Sequence, residues 1–384
     1  MFSRRSTFDL TESDFAVALR EARHGGELLD LTTSNPTAVG LAPENLQLDF
    51  NAAEYHPDPL GIPSAREEVA GYYLDHRQEV PIANITLTAS TSESYSFLFR
   101  LLCDPADELL IPTPSYPLFD FLATLDHVHL KPYPLLYDHG WQIDLHALEA
   151  AITPRTRAIL LVHPNNPTGH FTSSGEREAL YRLAAKHNLA LIVDEVFLDY
   201  PLSGTTDTFA VPDSPALTFT LSGLSKVCAL PQMKVAWIVT TGPEAVRNEA
   251  QQRLEIIADT FLSVATPPQL ALPGWLSHRR ATQQAIHQRT GMNLERLDEL
   301  LEGTHTTRLK VEAGWAAILR IPALEPDAEL ATRLVKKHWV AIHPGSFYGL
   351  PHQGYLVVSL LPRMEIFHQG VNQLLNGIKP INAM

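Results

Sequence analysis

The stretch Leu217-Thr218-Phe219-Thr220-Leu221-Ser222-Gly223-Leu224-Ser225-Lys226 sets a largely apolar run against a turn of small residues that ends on a lysine. Short runs rich in Val, Ile and Leu recur at 109–111, 158–162, 189–193 and 235–240. Runs that are apolar on both faces suit strands of a parallel sheet covered by helices on each side, because a strand with one wet face alternates polar and apolar residues instead. Amphipathic stretches such as 176–187 lie between the runs and supply the covering helices. The alternation predicts an α/β architecture.

Outward from these runs, 244–265 is a longer, mostly polar helical segment that the pattern allows to leave the sheet domain. Pro267, Pro268 and Pro273 then punctuate the chain. The remainder reads as a helix to about residue 301, strands around 308–311 and 315–321, and a helix near 328–337. A strand at 355–360 and a closing helix at 365–375 complete a second, α+β layer. There is no repeat and no flexible linker, so two firmly packed domains are expected. Residues 48–270 are expected to form the larger domain, and 1–47 with 271–384 the smaller.

The 384 residues, 45% hydrophobic and 19% charged, suffice for two sizeable cores. A formal charge of −14 opposes binding to nucleic acid or to an anionic membrane, both of which reward positive charge. A small-molecule substrate is expected instead. Cys103 and Cys228 stand in no metal or disulfide spacing, which fits a reducing compartment. The N-terminus has a basic pair but no apolar signal region, and no run approaches the roughly 18 apolar residues of a spanning helix. The expected location is the cytoplasm. Seventeen histidines form no HExxH or Cys/His ligand pattern, and His127-x-His129 falls in an expected strand, so no metal site is expected.

Ligands of an open parallel sheet bind beyond the carboxyl ends of its strands, so the polar residues after each run deserve scrutiny. Lys226 follows the 217–221 run, where desolvation would lower its pKa toward nucleophilic amine chemistry; a solvated surface lysine is the plain alternative. Asp194-Glu195 follows 189–193 and needs a cation if buried, a role a protonated pyridine ring would fill. His163-Pro164-Asn165-Asn166-Pro167-Thr168-Gly169 follows 158–162 and is rich in turn formers. Ala89-Ser90-Thr91-Ser92-Glu93 opens a helix, where its hydroxyls serve as caps or hold a phosphate on free amides.

Taken in order, these segments resemble fold-type I pyridoxal-phosphate (PLP) enzymes of the class I/II aminotransferase family over nearly the whole chain. The markers are Ser34-Asn35-Pro36-Thr37, Tyr55 with Asp58-Pro59-x-Gly61, Ser90–Ser92, Pro114-Ser115-Tyr116-Pro117, Asn165-Asn166-Pro167-Thr168-Gly169, Asp194-Glu195, Ser225-Lys226 and His343-Pro344-Gly345-Ser346. The resemblance implies a large domain built on a mostly parallel seven-stranded-type sheet and a smaller α+β domain drawn from both termini. It implies an aminotransferase that moves an amino group from an amino acid to a 2-oxo acid. A lyase, decarboxylase or racemase of the same fold is the alternative. By the same resemblance Lys226 forms the Schiff base with PLP and shuttles a proton, and Asp194 keeps the pyridine nitrogen protonated. Asn166 donates to the ring phenolic oxygen, Tyr116 stacks on the ring, and Ser90, Thr91 and Ser92, with Ser222, Ser225 and Lys234, hold the phosphate. Tyr55 reaches the phosphate of a neighbouring subunit, which makes a homodimer with shared active sites.

Three positions depart from the family pattern. Phe197 stands where a tyrosine usually donates to the phenolic oxygen, with Tyr200 a candidate to compensate. Lys234 stands where the phosphate usually meets an arginine fork. Val357 stands where an arginine usually clamps the substrate carboxylate, leaving Arg363 and Asn35 as candidate substitutes; Arg363 also reads as an ordinary surface residue. His343 is a candidate at the substrate mouth or a turn cap, Asp259 a candidate specificity residue or a solvated helix charge, and Trp315 reads as core. Because Phe197 cannot donate a hydrogen bond, the pKa of the Lys226 Schiff base is expected to be raised. A pH titration of the visible absorbance checks this, and an ordinary acidic value overturns it.

Overall fold

The structure is a computed structural model and describes residues 2–43, 56–204 and 207–378. Its main sheet runs in the order Ile85–Thr88, Ala236–Thr241, Thr218–Gly223, Ala190–Asp194, Thr156–Val162, Glu108–Thr113, His129–Tyr137, Trp141–Ile143. All residues of Ala190–Asp194, Thr218–Gly223 and Ala236–Thr241 are buried, as two-sided apolar runs require. The central pairings are parallel. Ala236–Thr241 is antiparallel to both its neighbours, and the short last strand is antiparallel to His129–Tyr137.

Helices close both faces. On one, Tyr95, Phe97, Leu98 and Phe99 of the helix Thr91–Leu102 pack with Leu254 and Ala258 of the helix Glu244–Phe261. That helix therefore stays on the sheet, contrary to the expectation that it could leave. Its Ala250, Leu254 and Ala258 form the apolar stripe that holds it there. On the other face, Leu180, Leu183 and Ala184 of the helix Ser174–His187 cover Leu191 and Val193. A capping box of Ser173 and Glu176 starts this helix, and left-handed Asn188 stops it.

The element that leaves the sheet is the 36-residue helix Thr266–Leu301. Pro267 and Pro268 stand in its first turn, where a missing N–H costs nothing, and Pro273 lies inside it rather than breaking it. Its first half, with Leu272, Trp275 and Leu276, packs on Tyr72, Tyr73 and Trp237. Its last turns put Leu297 and Leu301 into a second core. The helix is continuous across residue 270.

The second core lies under an antiparallel sheet ordered Thr307–Arg308, Ala316–Arg320, Tyr355–Ser359, His343–Pro344. The helices Asp327–His338 and Met364–Ile378 cover it. Leu29–Asp30 pairs in parallel with Val340–Ala341, and the Ser359 N–H donates to the Leu31 carbonyl at 2.8 Å, so the N-terminal segment belongs to this layer. Among the described residues no helix is long and apolar enough to cross a membrane.

An ionic contact joins the layers. Buried His170 has Nε2 3.2 Å from Glu176 Oε1 and Nδ1 3.8 Å from Glu312 Oε2, and Glu312 also accepts the Phe171 N–H. Burial disfavours the imidazolium, but the two carboxylates outweigh it and hold the His170 pKa above its ordinary value. Against the same burial, His170 and backbone N–H groups pull Glu176 down to about 2. The neighbouring His170 imidazolium, with Lys310 and the Phe171 N–H, pulls Glu312 down to about 2 despite its own burial. The imidazolium's stabilisation is fully present below its unfolded pKa and is lost as pH rises through the raised folded value. The carboxylates' contribution is present above their unfolded pKa and is lost as pH falls toward 2. Replacing His170→Asn is expected to cost roughly 1–2 kcal/mol in mildly acidic buffer, by removing the cation from two half-buried carboxylates, and less at alkaline pH. Thermal unfolding across a pH series measures it; a cost that does not shrink as pH rises would remove the charged contact.

Candidate active site

The strand Thr218–Gly223 ends on a glycine because its neighbour leaves no room for a side chain: a Cβ on Gly223 would lie 2.8 Å from the Ala236 Cβ. The Leu224 N–H bonds the Val235 carbonyl at 2.9 Å, and the four-residue helix Leu224–Val227 then carries Lys226. The Tyr200 hydroxyl donates to the Lys226 carbonyl at 2.6 Å, and Gln283 Nε2 donates to the Val227 carbonyl at 2.9 Å. The Lys226 amine lies 5.0 Å from the centre of the Trp315 ring and 5.7 Å from that of Phe197. Burial brings its pKa down to about 8, opposed by the field of Asp194.

Asp194 closes the next strand and is buried. It accepts the Tyr95 hydroxyl at 2.6 Å and the Val196 N–H at 3.0 Å, yet burial still raises its pKa. Glu195 accepts the Phe209 N–H and the Thr208 hydroxyl, both at 2.6 Å, and burial pushes it up to about 7. The two adjacent acids are thus held by different parts of the chain.

Ser90 caps the helix Thr91–Leu102 by accepting the Glu93 N–H at 3.2 Å. The first helical N–H groups, those of Thr91 and Ser92, have no carbonyl to bond within the helix. Ser222 Oγ is fully buried and has no hydrogen-bond partner among the described residues. Ser225 is half-buried, whereas Lys234 is exposed and caps a short turn in a left-handed conformation.

In the 165–169 turn, buried Asn165 accepts the Thr168 N–H at 3.3 Å and hydroxyl at 2.8 Å. Half-buried Asn166 makes no side-chain hydrogen bond among the described residues. Gly169 adopts φ 68°, and a Cβ there would meet the Ala313 carbonyl at 2.5 Å, so the turn is pressed against the segment leading to Trp315. Tyr116 is 44% exposed. Tyr55 lies outside the described residues.

Val357 is buried among Leu309, Ile318, Tyr348 and Leu350. Arg363 is exposed, with a terminal nitrogen 3.5 Å from where a Gly40 Cβ would stand. Asn35 accepts the Thr37 N–H at 3.1 Å and hydroxyl at 2.8 Å, capping the turn Pro36–Val39 that Gly40 ends. Asn35 and Arg363 therefore flank one turn, whose neighbours Val39 and Leu41 pack with Phe197, Trp315 and Leu361. His343 stacks on Phe347, and its Nδ1 lies 3.1 Å from the Tyr348 hydroxyl. Asp259 is exposed on its helix.

Two further contacts concern these positions. The Tyr200 hydroxyl is committed to the Lys226 carbonyl and does not replace the donor absent at Phe197. Trp315 is core by burial, but it also faces the Lys226 amine. Tyr95 escaped the sequence reading; its only signal is a hydroxyl on the buried face of the helix Thr91–Leu102, one turn past Thr91. Among the described residues no group of three or more His, Cys, Asp or Glu is placed to hold a metal ion.

A partly neutral amine, a buried acid, unbonded amides at a helix start and a buried serine hydroxyl lie at the same carboxyl edge of the main sheet. The family model for aminotransferases of class I and II matches residues 26–366, and the chain belongs to that family. The glutamate-pyruvate aminotransferase AlaA of Escherichia coli strain K12 is 29% identical over 272 residues, 69% of this chain and 67% of that protein. The alanine aminotransferase of Mycobacterium tuberculosis strain H37Rv is 28% identical over 367 residues, 90% and 84% of the respective chains. The fold is shared with the alanine aminotransferase from Pyrococcus furiosus, with TM-score 0.88, 20% identity and coverage of 98% and 99% of the two chains.

Tyr95→Phe strands one oxygen of a buried carboxylate and is expected to cost about 1–3 kcal/mol. Urea unfolding reads this as a lower midpoint at constant slope, and an unmoved midpoint would show the hydroxyl to be dispensable.

Proposed function

We propose that this aminotransferase uses PLP bound at Lys226 to pass an amino group from an amino acid to a 2-oxo acid. The observation that carries the reading is the placing of the half-buried Lys226 amine, brought down to about 8 by desolvation, within the field of the buried Asp194 carboxylate at the same sheet edge. An ordinary lysine is almost wholly protonated near neutral pH, while one with a pKa near 8 is about one-tenth free amine at pH 7. That fraction can attack an aldehyde and later accept a proton. When bound, PLP supplies an electron sink for the carbon that loses its proton.

The chain's unsatisfied groups fit this cofactor. Asp194, its charge disfavoured by burial, would gain a cationic partner in the ring nitrogen and keep that nitrogen protonated. The orphaned Ser222 hydroxyl, the Thr91 and Ser92 amides and the Ser90 and Ser225 side chains would hold the phosphate, with Lys234 adding charge from the rim. Asn166, free of internal hydrogen bonds, would donate to the phenolic oxygen. Tyr116 would cover one ring face, and Tyr55 of the partner subunit would complete the phosphate site in a homodimer.

The relatives named above support an alanine- or glutamate-type amino donor with a 2-oxo acid acceptor. With Val357 sealed in an apolar cluster, the carboxylate falls to Arg363 and Asn35 at the turn Pro36–Val39. The apolar setting of Val357 is also what favours the second reading, a lyase, decarboxylase or racemase, none of which exchanges its amine with a 2-oxo acid. We assign the protein to the cytoplasm, without a nucleic-acid or membrane partner.

Borohydride reduction of the PLP-loaded protein is expected to leave a phosphopyridoxyl group on Lys226, read by peptide mass spectrometry. A single turnover with alanine or glutamate is expected to yield one equivalent of the matching 2-oxo acid. Ammonia or carbon dioxide instead moves the protein to the second reading, and label on another lysine overturns the assignment. Arg363→Gln is expected to raise KM for the amino acid about tenfold or more with a smaller change in kcat, from loss of a charge-assisted bond. An unchanged KM would return Arg363 to the surface.

A further inference from the structure

We propose that Trp315, with Phe197 beside it, is a seat for the Lys226 ammonium, holding the lysine in its protonated form whenever its amine is not covalently engaged. Trp315 is then a positioning residue for the group that carries the proton. The proposal rests on Lys226 being the reacting amine.

The Lys226 side chain reaches a place where water is scarce and no salt bridge meets it. Among the described residues, Asp194 is the only charged group whose field acts on the amine, and its oxygens already receive Tyr95 and Val196. What the amine meets are aromatic faces, 5.0 Å away at Trp315 and 5.7 Å at Phe197, within range of a cation–π contact. Indole is the strongest of the natural π partners.

The seat is rigid. Trp315 and Phe197 meet edge to face, with centres 5.2 Å apart at 81°, and Trp315 meets Tyr200 at 4.9 Å and 70°. The Leu360 N–H bonds the Trp315 carbonyl at 2.7 Å, and the Gly314 N–H bonds the Tyr200 carbonyl at 2.9 Å. The Tyr200 hydroxyl in turn grips the Lys226 carbonyl, so one aromatic set holds both the root and the tip of the lysine. Trp315 belongs to the smaller sheet's layer and Lys226 to the larger one, so the seat exists only where the two layers meet.

Two physical roles for the rings predict opposite signs. Rings that merely exclude water disfavour the ammonium, so opening the site would raise the Lys226 pKa. Rings that act through their π faces favour the ammonium, so a replacement that keeps apolar bulk but lacks the face lowers it. Trp315→Leu separates the two.

The test uses the full chain freed of cofactor, trace-acetylated over a pH series, with the Lys226 peptide quantified against the exposed Lys336 and Lys337. Trp315→Leu is expected to shift the ammonium-to-amine ratio roughly threefold to thirtyfold toward free amine, a downward move of about half to one and a half pH units. Trp315→Phe is expected to shift it less, and Phe197→Leu, farther from the amine, also less. A Trp315→Leu titration that stays in place or moves upward overturns the seat. If that variant fails to fold, the Trp315→Phe and Phe197→Leu titrations decide by the same sign. Borohydride labelling of a lysine other than 226 in the unmodified protein would instead remove the premise, which keeps the two failures apart.

Discussion

A lysine amine and an aspartate carboxylate share the carboxyl edge of a mostly parallel sheet, and among the described residues neither is in contact with an ion-pair partner of opposite charge. In water such groups would be trivial. In a low-dielectric setting each pays for its charge, so the amine becomes a partial base and the acid becomes a strong claimant for a cation. The surrounding architecture keeps them there. Gly223 lets adjacent strands close so that the turn emerges at the edge, Tyr95 and Val196 fix the carboxylate, and Tyr200 and Gln283 fix the backbone that bears the lysine.

The site is also a seam. Asp194 ends one strand of the large sheet and Lys226 sits on the short helix that follows the next, while Trp315, Val357, Leu361 and Arg363 come from the smaller layer. Contacts that hold the layers in register include the long helix Thr266–Leu301 with one end in each core, the His170 contact to Glu176 and Glu312, the close approach of Gly169 to Ala313 and the Gly314 N–H bond to the Tyr200 carbonyl.

How much of this was legible follows from what each signal encodes. Burial on both faces writes itself into composition, so the central strands and Lys226, Asp194 and Ser90 at their ends could be found from sequence. Strand direction does not; nothing in Val235-Ala236-Trp237-Ile238 announces that Ala236–Thr241 runs antiparallel to its neighbours. Pro267 and Pro268 read as breaks because a proline signals the same way whether it ends a helix or occupies its first turn. Tyr95 was invisible because a tyrosine on the buried face of a helix has the same pattern with or without a carboxylate under its hydroxyl. Trp315 reads as core because it is core; only the fold reveals which cation it faces.

The departures from the family pattern share one chemical direction. Phe197 lacks a hydroxyl, Val357 lacks a guanidinium and Lys234 lacks a fork, so each removes hydrogen-bonding capacity from the surroundings of the lysine. At two of the three positions the replacement is packed rather than merely tolerated: Phe197 against Trp315, and Val357 among Leu309, Ile318, Tyr348 and Leu350. The π faces of Trp315 and Phe197 beside Lys226 then stand where such donors are fewer, while the Ser222 hydroxyl, the Thr91 and Ser92 amides and Asn166 remain to hydrogen-bond. If Arg363 and Asn35 take the substrate carboxylate as proposed above, it would meet an exposed cation at the turn Pro36–Val39 instead of a buried one. Since an exposed ion pair holds less tightly, shape in the apolar wall of Leu41, Leu361 and Trp315 would then be the stronger selector.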